Sequence, residues 1–216
     1  EGVDKVQLEK RLDYFVSKGC KIADHGFDDF SDTQNIEWLI EKCFEKGVVL
    51  QLHFGTFRNV NTAAFNQIGK DSGFDVFRAS VDTDALARLL DKMHTRLGDL
   101  PKIILYPLND ECLRAVCAIS GAFPNVIVGA AWWFNDTVSG IKRQLETVSE
   151  YAVLGTNLGM LTDSRSFSSY VRFDFYRRIL SSFIAAKVDH GEYDEKSALA
   201  LAKDIAYNNV KEVLGL

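Results

Sequence analysis

Leu158-Gly159-Met160-Leu161-Thr162-Asp163-Ser164-Arg165-Ser166-Phe167 runs from apolar residues straight onto a carboxylate and a guanidinium two residues apart. It reads as a strand that ends in chemistry. A parallel strand buried on both faces is apolar along its length, and polar groups at its carboxyl end point into the crevice where such sheets bind ligands. There Asp163 can ligate a metal or move a proton, and Arg165 can hold an anion. The competing reading is a helix start, with Asp163 or Ser164 capping a helical segment from near Phe167.

The same event recurs along the chain. Lys21-Ile22-Ala23 runs into Asp24-His25-Gly26, and Val48 to Leu52 runs into His53-Phe54-Gly55. Ile103-Ile104-Leu105 leads to Tyr106-Pro107, and Val126 to Ala131 leads to Trp132-Trp133-Phe134-Asn135-Asp136. Between these runs apolar residues recur at helical spacing: Ile36, Leu39, Ile40 and Cys43; Leu86, Leu89, Leu90 and Met93; Leu113, Val116 and Cys117; Ile141, Leu145 and Val148. Alternating strand and helix implies parallel strands with helical crossovers. Curled into an α/β barrel of the (β/α)8 TIM type, the five strand ends would meet at the face where barrel enzymes keep their active sites.

Composition bounds the remaining classes. The 216 residues, 47% hydrophobic and 25% charged, fit one globular domain over residues 1–216, with no linker or low-complexity tract to divide it. The apolar runs fall far short of the roughly 20 residues a spanning helix needs, so no membrane partner is expected. A net charge of −5 offers no field for nucleic acid. The four cysteines form no C-x-x-C pair and no signal peptide is recognisable, which predicts reduced core thiols in a cytoplasmic protein.

From Thr56 to about Asp82 the helical period lapses, and the stretch is longer than the ~12–15 residues of a plain loop. It follows the strand ending in His53, so it should lie over the active face. Tyr170 to Val188 reads as one long helix and Lys196 to Leu214 as another, with Arg172 a weaker ligand candidate beside the Asp163 turn. A closed barrel needs eight strand–helix units in about 250 residues. Five are found here, and the chain opens on Glu1 and leads almost at once into a helix, as the carboxyl-terminal part of something larger would.

The phrases Gln51-Leu52-His53-Phe54-Gly55 with Arg58-Asn59 and Asn61-Thr62, Leu100-Pro101-Lys102, Trp132 to Asp136, and Gly159 to Phe167 continuing to Tyr170 and Arg177 to Leu180 resemble the uronate (glucuronate) isomerase family. The resemblance covers essentially the whole chain. It implies an amidohydrolase-like metal-dependent barrel, with this chain as the fourth to eighth strands. It also implies interconversion of D-glucuronate with D-fructuronate and of D-galacturonate with D-tagaturonate. The family binds a divalent metal, zinc being expected, through a first-strand His-x-His pair and an eighth-strand aspartate. Tyr106 stands at the sixth-strand end where binuclear relatives have histidine, which implies one ion rather than two, and His53 stands where related barrels place a fifth-strand histidine, as a further ligand or a substrate contact. Asp163 matches that aspartate, whereas no His-x-His occurs here: His25, His53, His94 and His190 are all isolated. A catalytic zinc usually takes three protein ligands, so this chain alone should bind metal weakly.

Moving a carbonyl from C1 to C2 of a sugar acid requires a base at C2, proton delivery to C1 and stabilisation of the enediol oxygens. Asp163, His53 and His25 are the candidates for this catalysis. Arg165 is the first choice and Arg58 the second for the uronate carboxylate, because a guanidinium matches a carboxylate bidentately. Tyr106, Trp132 and Trp133 are candidate pocket walls. Strand alternation allows only one of the tryptophans to face inward. His94 and His190 read as surface residues. No G-x-S-x-G elbow or phosphate-binding glycine loop is present, which disfavours serine hydrolases and nucleotide enzymes. The alternatives are a metal-dependent hydrolase of the same superfamily, or a non-catalytic piece that pairs through its open barrel edge with a second copy or with the missing amino-terminal half.

Overall fold

The computed structural model describes residues 4–216; the opening at Glu1 lies outside the described residues. Four parallel strands form the sheet: β1 (Ile22–Phe27), β2 (Val49–Phe54), β5 (Ile103–Pro107) and β6 (Val126–Val128), in the order β1-β2-β5-β6. A separate antiparallel pair, β3 (Thr56–Phe57) with β4 (Val76–Phe77), rises from the end of β2. The crossover helices are α2 (Gln34–Lys46), α4 (Thr83–Leu97) and α5 (Leu113–Ala122). They are joined by α1 (Lys5–Ser17), α3 (Thr62–Ile68), α6 (Val138–Tyr151), α7 (Val171–Asp189), α8 (Glu195–Lys203) and α9 (Asn209–Leu214). Asp82, Thr137 and Asp194 start α4, α6 and α8 by accepting the backbone N–H three residues on, at 2.8, 3.0 and 3.0 Å.

Alternation along the strands divides the core in two. Leu50, Leu52, Phe54, Ile103 and Leu105 face outward and pack with Ile36, Ile40, Leu86, Leu90, Val116 and Ile141 of the helices in one large cluster. Val49, Ile104, Tyr106 and Ala130 face the concave side and form a smaller cluster, against which Val213 and Leu214 pack. Burial of the outer face fixes register, since a one-residue slip would turn Leu50 and Leu52 inward. The Tyr106 ring fills space above Gly129, where a Cβ would lie 2.2 Å from the ring. Its hydroxyl donates to Gln51 Oε1 at 2.5 Å.

Four of the five expected strands form, and Leu158–Leu161 does not become the fifth. Gly159 sits at φ +78°, outside the extended region, and its N–H is taken by Asn157 Oδ1 at 2.9 Å. Asn209 in turn donates to the carbonyls of Gly155 and Asn157, at 2.7 and 2.8 Å. Side chains thus occupy backbone groups that a ladder would need. The Thr56–Asp82 stretch is not a plain loop, as it carries the β3–β4 pair and α3. The helix expected over Lys196–Leu214 is interrupted by a π-helical turn at Asp204–Asn208. No helix among the described residues is long and apolar enough to cross a membrane.

All four cysteines are free; Cys43, Cys112 and Cys117 are buried, whereas Cys20 is only half-buried and donates to the Ile22 carbonyl at 3.2 Å. Burial pushes the Cys43 and Cys112 thiols up to about 11 and Cys117 up to about 12. Because the thiolate is the reactive form, an aromatic disulfide reagent at mildly alkaline pH should titrate Cys20 quickly. The other three should react only as the chain unfolds, and a Cys20→Ser variant should lose the fast phase.

Candidate active site

The carboxyl ends of β2 and β6 and the turn at Asp163 converge on an open cleft of about 940 Å³. His53, Trp132, Asp163 and Arg165 line it, as do Arg58 from the β3–β4 flap and Arg172 from the first turn of α7. The sequence candidates His53, Arg58, Trp132, Trp133, Asp163 and Arg165 therefore share one cavity. Asp163 is not a helix cap: Ser166 accepts from the N–H of Ser168, Ser164 accepts from that of Ser166, and the carboxylate of Asp163 is left facing the cleft. Both tryptophans line the cavity, because Trp133 opens a 3-10 turn with φ +57° and strand alternation stops there.

His53 is held from three sides. Its Nδ1 lies 3.1 Å from Asp24 Oδ1, its ring meets Trp132 edge to face at 5.3 Å, and its Nε2 rests over Gly26. His25 is not brought into the cavity lining. β1 extends through Phe27, so alternation turns His25 to the face opposite Asp24 and Gly26, in register with Leu52. Tyr106 stands behind the cleft rather than in its lining; burial first, and the Asp24 charge second, push its hydroxyl above the ordinary tyrosine range. His94, expected on the surface, is half-buried against Phe123, with ring centroids 6.0 Å apart.

The flap is pinned at both ends. At its base the Arg78 N–H donates to the Gly55 carbonyl at 2.8 Å, and buried Asn109 donates to the Arg78 carbonyl at 2.6 Å. At its tip the Arg58 guanidinium lies over the Trp133 ring at 5.0 Å and pairs with Asp75 at 3.3 Å and Asp71 at 3.7 Å. Asp75 also accepts the Asn59 N–H at 2.8 Å. Among the described residues, the non-glycine residues with positive φ are Asn59, Asp71, Trp133 and Asp163, at 54°, 57°, 57° and 46°. Every one lies in or beside the cleft, the concentration of backbone strain expected where a fold positions a site.

Charge pairing in the cleft separates its arginines. Arg58 faces Asp71 and Asp75, and Arg172 is paired with Asp136, whose side chain is 4% exposed. Arg165 has no carboxylate partner among the described residues and is exposed to solvent. The sequence marks Asp24 and Asp136 only as strand-end residues and does not mark Asp75; the role of each lies in holding a neighbour that is distant in sequence. No three His, Cys, Asp or Glu side chains among the described residues come close enough to hold a metal ion. Asp163 is thus at most one ligand, and these residues alone do not fit the metal that the resemblance implies.

A family model described as glucuronate isomerase matches residues 29–214. A uronate isomerase of Caldanaerobacter subterraneus is 36% identical over 97% of this chain and 53% of its own length, and one of Staphylococcus haemolyticus is 38% identical over 94% and 52%. Among solved structures, a uronate isomerase of Thermotoga maritima superposes with a TM-score of 0.88 at 28% identity, covering 96% of this chain and 52% of the other. A glucuronate isomerase of Caulobacter crescentus does so with 0.85 at 29%, covering 96% and 49%. The chain spans about half the length of these relatives, and the parallel sheet with its helical crossovers is a partial barrel of the TIM type.

The His25 imidazole is pulled below its ordinary value by partial burial and by the His53 charge, against an opposing pull from Asp24. A histidine whose folded pKa is depressed binds fewer protons folded than unfolded. It therefore contributes stability above the unfolded pKa of ~6.5, and that contribution is lost as pH falls through the folded pKa. Denaturant unfolding compared at neutral and mildly acidic pH should show a steeper loss for the wild-type chain than for His25→Gln.

Proposed function

The chain belongs to the glucuronate (uronate) isomerase family, and from that premise we propose that it forms the carboxyl-terminal half of a barrel interconverting aldose and ketose hexuronates. The substrates are D-glucuronate with D-fructuronate and D-galacturonate with D-tagaturonate. The supporting observation is the charge pattern of the cleft: two of its three guanidiniums face carboxylates, and Arg165 faces none among the described residues. One free guanidinium suits a single carboxylate, which it can grip through two parallel hydrogen bonds.

In the reaction a base removes the proton at C2, the C2 hydroxyl proton moves toward O1, and a proton returns to C1. No mass is gained or lost and no oxidant is needed. His53 and Asp163 border the same cavity and are the groups for these transfers. Trp132 and Trp133 give the sugar an aromatic wall. A divalent metal, zinc by the resemblance, would find in Asp163 at most one ligand from this chain and would need its others from outside it.

The remaining half of the barrel is the required partner. β1 pairs only with β2 and β6 only with β5 among the described residues, so each presents an open edge. Mixed with the amino-terminal half of the Caldanaerobacter relative, the chain should convert D-glucuronate to a ketose of equal mass. Asp163→Asn should abolish turnover. Arg165→Gln should lower kcat/KM about 10- to 150-fold, the equivalent of losing a charged hydrogen bond of roughly 1.5–3 kcal/mol. Bond cleavage would indicate the hydrolase alternative, and no turnover in the mixture would overturn the isomerase reading.

A further inference from the structure

We propose that Asp24 is a positioning residue for His53, fixing its imidazole as the Nδ1–H tautomer so that Nε2 carries the free lone pair. The chemistry of the pair dictates the direction. An ionised carboxylate can only accept, so the ring nitrogen 3.1 Å from Asp24 Oδ1 must carry the hydrogen. In a neutral imidazole the other nitrogen is then the acceptor, the form a proton-transfer base needs.

Three features of the strands converge on this one ring. Asp24 and Gly26 are two residues apart on β1 and so share its concave face, and the register sets Gly26 directly opposite His53. A Cβ at position 26 would come within 2.1 Å of His53 Nε2, so a side chain there would displace the ring. Trp132, edge-on at 5.3 Å, limits rotation on the remaining side. The His53 side chain is 16% exposed, whereas Asp24 is 50% exposed, so the histidine is the enclosed partner and the aspartate sits at the rim. The inner-face pattern Asp-x-Gly on an edge strand is thus a seat for an imidazole on the next strand.

The catalytic meaning of this seat rests on the isomerase reading, but the seat can be tested without it. The test is the imidazole nitrogen-15 spectrum of the labelled chain at about pH 8, where an ordinary histidine is neutral. The wild-type chain should show His53 protonated at Nδ1. Asp24→Ala should lose that signature, and Asp24→Asn, whose amide oxygen still accepts, should keep it. Gly26→Ala, if it folds, should lose it as well, because the ring is driven from its place. An Nε2–H signature in the wild-type chain, or an Nδ1–H signature that survives in Asp24→Ala, would overturn the proposal. In the reconstituted barrel, Asp24→Ala should lower kcat about 10- to 100-fold with little change in KM, and Asp24→Asn should recover much of it. An altered tautomer with unchanged kcat would overturn the role of the seat in proton transfer, whereas absence of turnover in the unsubstituted barrel would count against the isomerase reading alone.

Discussion

The parallel register that sets Gly26 beside His53, and His53 beside Tyr106, is the constraint on which the rest of the site depends. Three strand ends are brought level, so side chains separated by nearly thirty or more than fifty residues become neighbours: Asp24 with His53, and Gln51 with Tyr106. Register itself is enforced from the opposite face. Leu50, Leu52, Phe54, Ile103 and Leu105 are buried against the helices, and sliding any strand by one residue would expose that set and bury its polar neighbours. The outer core therefore determines the geometry of an inner face it does not touch.

Glycine completes what register begins. Gly26 and Gly129 lie on the concave side, each beneath a ring from the neighbouring strand, and a Cβ at either position would lie closer than 2.5 Å to that ring. An eight-stranded interior is just wide enough for side chains to fill. Where two bulky rings must lie flat against the wall, the strand beneath has to give up its own side chain. The cleft above is then built by strained backbone at Trp133 and Asp163 and by the flap clamped through Arg58.

Much of this was legible in the chain because apolar runs and helical spacing are local signals. The crossover helices carry their apolar stripes at Ile36 to Cys43 and at Leu86 to Met93, and the structure buries those residues. Sequence and structure part where a strand boundary decides a face. Reading the first strand as ending at Ala23 makes Asp24-His25-Gly26 a turn in which any residue can reach the pocket. The strand in fact runs to Phe27, so Asp24 points inward and His25 outward. The fifth strand failed for a different reason. Its apolar pattern is sound, but Asn157 and Asn209 satisfy backbone groups from positions far apart in sequence, and Gly159 turns out of the extended region. Likewise the Arg58–Asp75 and Arg172–Asp136 pairs follow from how the flap and α7 pack, which no local pattern records.

The two-part core also separates folding from function. The outer cluster joins the sheet to all of its crossover helices within this one chain, so the largest apolar contribution to stability is already in place. The inner cluster is small, has open strand edges on both sides among the described residues and is partly covered by Val213 and Leu214. The concave face that carries the cleft is therefore walled on one side only among the described residues. His53 and Asp163, proposed for proton transfer, and Arg165, proposed to hold the carboxylate, line the cleft on that face. Closing it would exclude water and strengthen every charge interaction within the cleft. The larger core is thus assembled within this chain, while the face that bears the cleft is the one left open among the described residues.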